Sequence, residues 1–119
     1  DTDFIVNLCD VHPDGRTYNI CDGILRLSFR DGRTRQPVTP GERLQIEVDL
    51  WSTAMVFKAG HRLRVLVTSS DFPRYDRNPN TGELAHRATR LEPALQRVFH
   101  GSDCASHLLL PEIDPVVSR

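Results

Sequence analysis

From Thr2 to Val11 apolar side chains fall on both faces of a period-two pattern. Phe4, Val6 and Leu8 share one face; Ile5, Cys9 and Val11 share the other. A strand with no wet face belongs inside a sheet, so this run predicts a central strand. Pro13-Asp14-Gly15-Arg16 follows as a turn, with Pro presetting φ and Gly accepting φ > 0. The next run, Gly23 to Phe29, sets Leu25, Leu27 and Phe29 against Arg26 and Ser28, and pairs back on the first as a hairpin.

The polar stretch Asp31 to Gly41 reads as a connecting loop. Leu44 to Leu50 then alternates cleanly, with Leu44, Ile46, Val48 and Leu50 inward and Gln45, Glu47 and Asp49 outward. Trp51 to Ala59 is apolar without a period. Arg62 to Thr68 alternates again, placing Leu63, Val65 and Val67 together. Asp71 to Gly82 is a long loop carrying Pro73, Pro79 and Asn80. Glu83 to Glu92 has room for one or two helical turns before Pro93. Leu95 to Phe99 and Ser106 to Leu110 read as closing strands, and the tail from Pro111 as loose. Short alternating runs between Pro and Gly turns predict an all-β sandwich with about three strands per sheet, near the minimum for independent stability.

Composition narrows the function classes. The 119 residues suffice for one domain of ordinary size, residues 1–119. Lys+Arg 15 against Asp+Glu 16 leaves a net charge of −1, which argues against a general attraction to nucleic acid or an anionic membrane. No apolar run approaches the ~20 residues of a bilayer span. Lys58 is the sole lysine among the basic residues, so cation contacts fall to Arg, whose fork suits fixed carboxylate clamps. Cys9, Cys21 and Cys104 are widely spaced and odd in number, which fits free thiols in a reducing, cytoplasmic compartment. A Cys9–Cys21 bridge stays open if their strands are neighbours.

Candidate chemistry is sparse. No G-x-S-x-G elbow occurs, so Ser69, Ser70, Asp71, His100 and His107 supply triad residue types without a triad pattern. No catalytic residue and no cofactor are expected within the chain. The five histidines show neither H-E-x-x-H nor an i, i+4 pair with a third ligand, so spacing implies no metal. His61, after Gly60, is expected to satisfy a backbone carbonyl. Asp71, Asp76 and Asp103 lack the spacing of a calcium loop. Asp71-Phe72-Pro73-Arg74-Tyr75-Asp76-Arg77-Asn78 is the segment richest in contact chemistry. It has two readings. In one, Phe72 and Tyr75 anchor an interface that Arg74 and Arg77 clamp, with Asn78 at its end. In the other, Arg74 and Arg77 pair with Asp71 and Asp76 to hold a self-contained loop. Trp51 and Phe57 join the candidate interface set, although Trp51 also suits a plug at one end of the sandwich.

Three blocks carry a family resemblance. They are Asp1-Thr2-Asp3-Phe4 with Leu8-Cys9-Asp10-Val11-His12-Pro13-Asp14-Gly15-Arg16; Phe57 to Asn78, with its G-H-R-x-R strand and S-S-x-F-P-R-Y loop; and His100-Gly101 with Ser106-His107-Leu108-Leu109-Leu110-Pro111. Together they resemble the C-terminal non-catalytic domain of the Xaa-Pro dipeptidyl-peptidase and cocaine esterase family of serine hydrolases. Cys21-Asp22-Gly23-Ile24 and Asn78 to Gly82 add smaller matches. The chain departs from the family at Asp103-Cys104-Ala105-Ser106, where a proline commonly precedes the Ser-His pair.

The resemblance implies a jelly-roll (galactose-binding-like) β-sandwich that begins upstream of Asp1, hence incomplete at its N-terminus. It also implies an upstream α/β-hydrolase domain and helical cap as partners, with this domain bracing them and walling the substrate pocket. The substrate of such a parent is an ester, a β-lactam or an Xaa-Pro peptide. Sheet edges offer a route to pairing between copies. A carbohydrate-binding module is the rival from a different class, since jelly rolls often serve that role. Against it, aromatics total 7% and are scattered.

Overall fold

The computed structural model describes residues 1–113. The expectation of a loose tail falls partly on residues 114–119, outside the described part. The chain is almost all β. Strand β1 spans Asp3–Val11, β2 spans Thr17–Arg26 and β3 spans Arg62–Thr68. They form one antiparallel sheet in the order β2-β1-β3. A 3-10 turn, Leu27–Phe29, continues from β2.

β1 is the central strand, as its two apolar faces require. Ile5, Leu8, Cys9 and Val11 are buried along it. It pairs with β2 from Asp3↔Arg26 to Val11↔Thr17, with a bulge between Leu8 and Cys9, and with β3 from Ile5↔Thr68 to Val11↔Arg62. The expected turn closes the hairpin. Gly15 takes φ 87°, and the His12 and Arg16 backbones bond across it at 2.8 Å. Asp14 accepts from the Arg16 backbone and side chain, and the backbone bond is the main reason its carboxyl sits below its ordinary pKa.

The second strand departs from the pattern reading. It begins at Thr17 rather than Gly23, and Leu27 to Phe29 turn out of the sheet. The pairing with β1 outlasts the apolar alternation, because ladder bonds do not need apolar side chains at Asn19 and Asp22. β3 matches its expected limits.

The other expected strands are not strands. Leu44 to Leu50 keeps its alternation, with half-buried Leu44, Ile46, Val48 and Leu50 between exposed polar neighbours, but no ladder. Leu95 to Phe99 and Ser106 to Leu110 are likewise irregular, joined by the Ser106 amide and hydroxyl, which both donate to the Phe99 carbonyl. Period two reports which way side chains point; a ladder also requires a neighbour at hydrogen-bonding distance. Glu83 to Glu92 contains one turn, with Arg87 and Ala88 amides bonded to the Leu84 carbonyl.

These extended segments face the sheet across an open interior. The arrangement fits a small, incomplete β-sandwich. The radius of gyration is 17.2 Å, against about 13.5 Å for a compact domain of this length.

Two outcomes follow from this packing. Segment 48–49 crosses β2 at Gly23, where an added Cβ would run into the Asp49 carbonyl. Gly23→Ala should therefore cost about 1–3 kcal/mol in urea unfolding. A neutral result would mean that the crossing is absent. In the loop after the 3-10 turn, the Asp31 carboxylate accepts from the Arg33 and Thr34 amides, which lower its pKa from 3.8 to about 2. A depressed carboxyl pKa means that the turn is favoured above 3.8 and loses that support as pH falls through about 2. An NMR titration of the Asp31 carboxyl carbon should give a midpoint near 2; one near the ordinary value would show the turn open.

Candidate functional site

Register divides the sheet into two unlike faces. Asp3, Ile5 and Asn7 of β1 share one face with their partners Arg26 and Asp22 of β2. Asp3 is only 1% exposed. Arg26 donates to it in bidentate fashion, Nε to Oδ1 at 2.8 Å and Nη2 to Oδ2 at 2.9 Å. Those bonds are the main cause of the raised Arg26 pKa. Asn78 Nδ2 donates to Asp3 Oδ1 at 2.8 Å, and Gln96 Nε2 reaches Thr2 Oγ1 and the Asp3 carbonyl. Nearby, buried Asp22 accepts from Arg74 Nη1 at 2.6 Å, while its Oδ2 is buried without a partner. This bond is the first cause of the raised Arg74 pKa.

Two carboxylates on the sheet thus pin the long loop at two points, Arg74 and Asn78. Within the loop, the Arg74 and Tyr75 amides donate to the Asp71 carbonyl, and the Arg74 guanidinium lies 5.3 Å from the Tyr75 ring centroid. Asn80, at φ 60°, ties the loop onward through Nδ2 to the Glu92 carbonyl.

The candidate residues divide accordingly. Arg74 and Asn78 bond to the sheet and hold the loop, while Tyr75 is half-buried beneath the Arg74 guanidinium. Phe72 is 66% exposed and Arg77 is exposed. Of the two readings of this loop, the self-contained one paired Arg74 with Asp71 or Asp76; its partner is instead Asp22 on β2, 52 positions away in the sequence. Phe57 is half-buried. Trp51 does not plug an end of the sandwich; it is 79% exposed at φ 64°.

The opposite face is apolar and open. Phe4, Val6 and Leu8 of β1 and Val65 and Val67 of β3 look across a cleft of about 1470 Å³ toward Leu44 to Thr53 and Arg97 to Pro111. β3 is exposed on both faces, with Leu63, Val65, Leu66 and Val67 between 39% and 51% accessible.

A third cluster lies at the end of β1. Asp10 is 1% exposed, and His61 Nδ1 lies 2.9 Å from each of its carboxylate oxygens. His12 Nε2 lies 3.4 Å from Asp10 Oδ2 and its ring 4.3 Å from that of His61. His61 was expected to satisfy a backbone carbonyl; its partner is this carboxylate, which the β1–β3 pairing brings beside it. Sequence spacing missed the cluster because His61 stands 51 positions from Asp10.

Among the described residues no serine hydroxyl is hydrogen-bonded to an imidazole. Ser28 Oγ donates to Asp1, and Ser106 Oγ to the Phe99 carbonyl. All three cysteines are free. No helix among the described residues is long and apolar enough to cross a membrane.

A small, incomplete β-sandwich with an acid-pinned loop on one face and an open apolar cleft on the other is the architecture to be placed among known proteins. The chain belongs to the X-Pro dipeptidyl-peptidase C-terminal non-catalytic domain family, whose model matches residues 1–109. It is 42% identical over 116 residues to cocaine esterase of Rhodococcus sp. (strain MB1 Bresler), an alignment covering 95% of this chain and 20% of that protein. It is also 30% identical over 133 residues to "Putative serine esterase Mb1866c" of Mycobacterium bovis, covering 97% of this chain and 19% of the relative. A Mycobacterium tuberculosis protein, "Putative serine esterase MT1883", matches to the same extent. The chain therefore spans about a fifth of the length of these relatives.

Removing the Asp3 carboxylate tests the pinning. Asp3→Ala leaves Arg26 and Asn78 without their shared acceptor, so urea unfolding should lose about 3 kcal/mol. Asp14→Ala, at an exposed ion pair, should change the same curve far less. Equal effects would show that burial of Asp3 carries no special weight.

Proposed function

We propose that this chain is the accessory β-sandwich of a serine hydrolase that cleaves esters, amides or Xaa-Pro peptides. Residues 1–119 act as a single jelly-roll-like unit that braces an α/β-hydrolase domain and its cap and walls one side of the substrate pocket. The nucleophile, its imidazole and the oxyanion hole belong to that catalytic domain, and hydrolysis proceeds there through an acyl-enzyme. The observation that carries this reading is the exposed apolar surface of a domain that matches only a fifth of its esterase relatives. Exposed β3, the open cleft, Trp51 and Phe72 present surface that packing against a catalytic domain would bury.

Trp51, Phe57, Phe72, Arg74, Tyr75, Arg77 and Asn78 form the contact set, in two roles. Phe72, Trp51 and Arg77 point outward and touch the neighbouring domain. Arg74 and Asn78 hold the loop that presents Phe72, and Tyr75 lies beneath the Arg74 guanidinium. Phe57 backs the apolar segment that carries Trp51.

A fluorophosphonate probe on the intact protein should label a serine outside this chain, as peptide mapping would show. An adduct on Ser69 or Ser70 overturns the reading. In the same protein Phe72→Ala should lower stability by about 1–2 kcal/mol, despite the exposure of Phe72 within this domain, because the ring is buried against its neighbour. An unchanged thermal unfolding curve would place Phe72 in solvent and remove it from the contact set.

A further inference from the structure

The Asp10, His12 and His61 cluster lies outside the contact set proposed above. Asp10 is a carboxylate almost wholly removed from water, which is costly without a compensating charge or full hydrogen bonding. Among the described residues, its side-chain partners are the two imidazoles. Arg26 and Arg74 serve the other two buried carboxylates, Asp3 and Asp22. Asp10 therefore differs from its counterparts in having nitrogen ligands where they have guanidinium.

The donors are also held in place. Asp10 sits within the β1 ladder, paired with Tyr18 and Leu63. His12 is fixed by the hairpin turn, through its amide to the Arg16 carbonyl and its carbonyl to the Gly15 amide, and its ring lies 4.8 Å from that of Tyr18. His61 leaves a tight turn at Gly60, φ 83°, with its amide bonded to the Lys58 carbonyl. One ligand atom from each of the three residues lies within 4.8 Å of the others. Ligand atoms on a tetrahedral zinc at bond lengths of ~2.0–2.2 Å stand about 3.4 Å apart. The separation from Asp10 to His12 is 3.4 Å, matching that spacing, and the one to His61 is 2.9 Å, so that contact would open by about 0.5 Å on a bound ion.

We infer that Asp10, His12 and His61 form a binding site for a divalent transition-metal cation of the zinc class. Two imidazoles and a carboxylate suit zinc, cobalt or nickel rather than calcium or magnesium. The partial exposure of His12, 31% against 11% for His61, opens the fourth position toward solvent on its side. Because the ligands come from β1, the hairpin turn and the turn before β3, a bound cation would tie together one end of the sheet.

The test uses the intact, metal-stripped protein without a polyhistidine tag, titrated with Co²⁺ near neutral pH, where imidazole ligands are available to the metal. The expected result is a saturable site with visible d–d absorption of four-coordinate strength, competed by Zn²⁺. His12→Ala, at the more exposed ligand, should fold normally and weaken that site by at least about tenfold; His61→Gln should abolish it. Absence of a saturable site, or an isotherm unchanged in His12→Ala, overturns the assignment.

Discussion

Burial of carboxylates on a strand with no wet face is the constraint from which most of this architecture follows. β1 needs both faces covered, yet it carries Asp3 and Asp10, each only 1% exposed. A buried charge must be met by partners brought to it, and the adjacent residues of a strand point to the opposite face. Most of the partners are therefore remote: Arg26 across the hairpin, Asn78 in the long loop and His61 before β3, with His12, two positions from Asp10, the near one. Each such contact fixes the register of an element that apolar packing alone would leave free to slide. A slip of one residue would turn Asp3 and Asp22 toward the apolar cleft and break the loop's attachment.

That logic explains which features could be read from the chain. The limits of β3, the central position of β1 and the hairpin turn depend on local alternation and turn chemistry, and both lie on the surface of the sequence. The all-β class followed from the same signals. The inward side of Leu44 to Leu50 was legible too, since Leu44, Ile46, Val48 and Leu50 are the half-buried positions. Its status as a strand was not, because pairing is a property of two segments and the pattern describes one. The early part of β2 was hidden for the converse reason: Asn19 and Asp22 look like loop residues until their partners on β1 are known. The Asp22–Arg74 and Asp10–His61 contacts, spanning 52 and 51 positions, leave no trace in spacing. Family resemblance carried the functional expectation further than residue patterns did, but it did not reveal the histidine cluster.

The two faces of the sheet are finished in different ways, and the difference bears on what each can meet. The acid-pinned face is closed by directional bonds within the chain, so it presents a loop of fixed shape. The apolar face is open, and what fills it need satisfy shape more than direction. β3 stands at the edge between them. Its first half carries Arg62 and Arg64, and charged side chains on an edge discourage pairing with stray strands. Arg64 is further engaged with Thr17 Oγ1. The second half, Val65 to Thr68, has no such guard. The unguarded half of the edge, at Val65 and Val67, also borders the cleft, so a segment pairing there would extend the sheet alongside its apolar face.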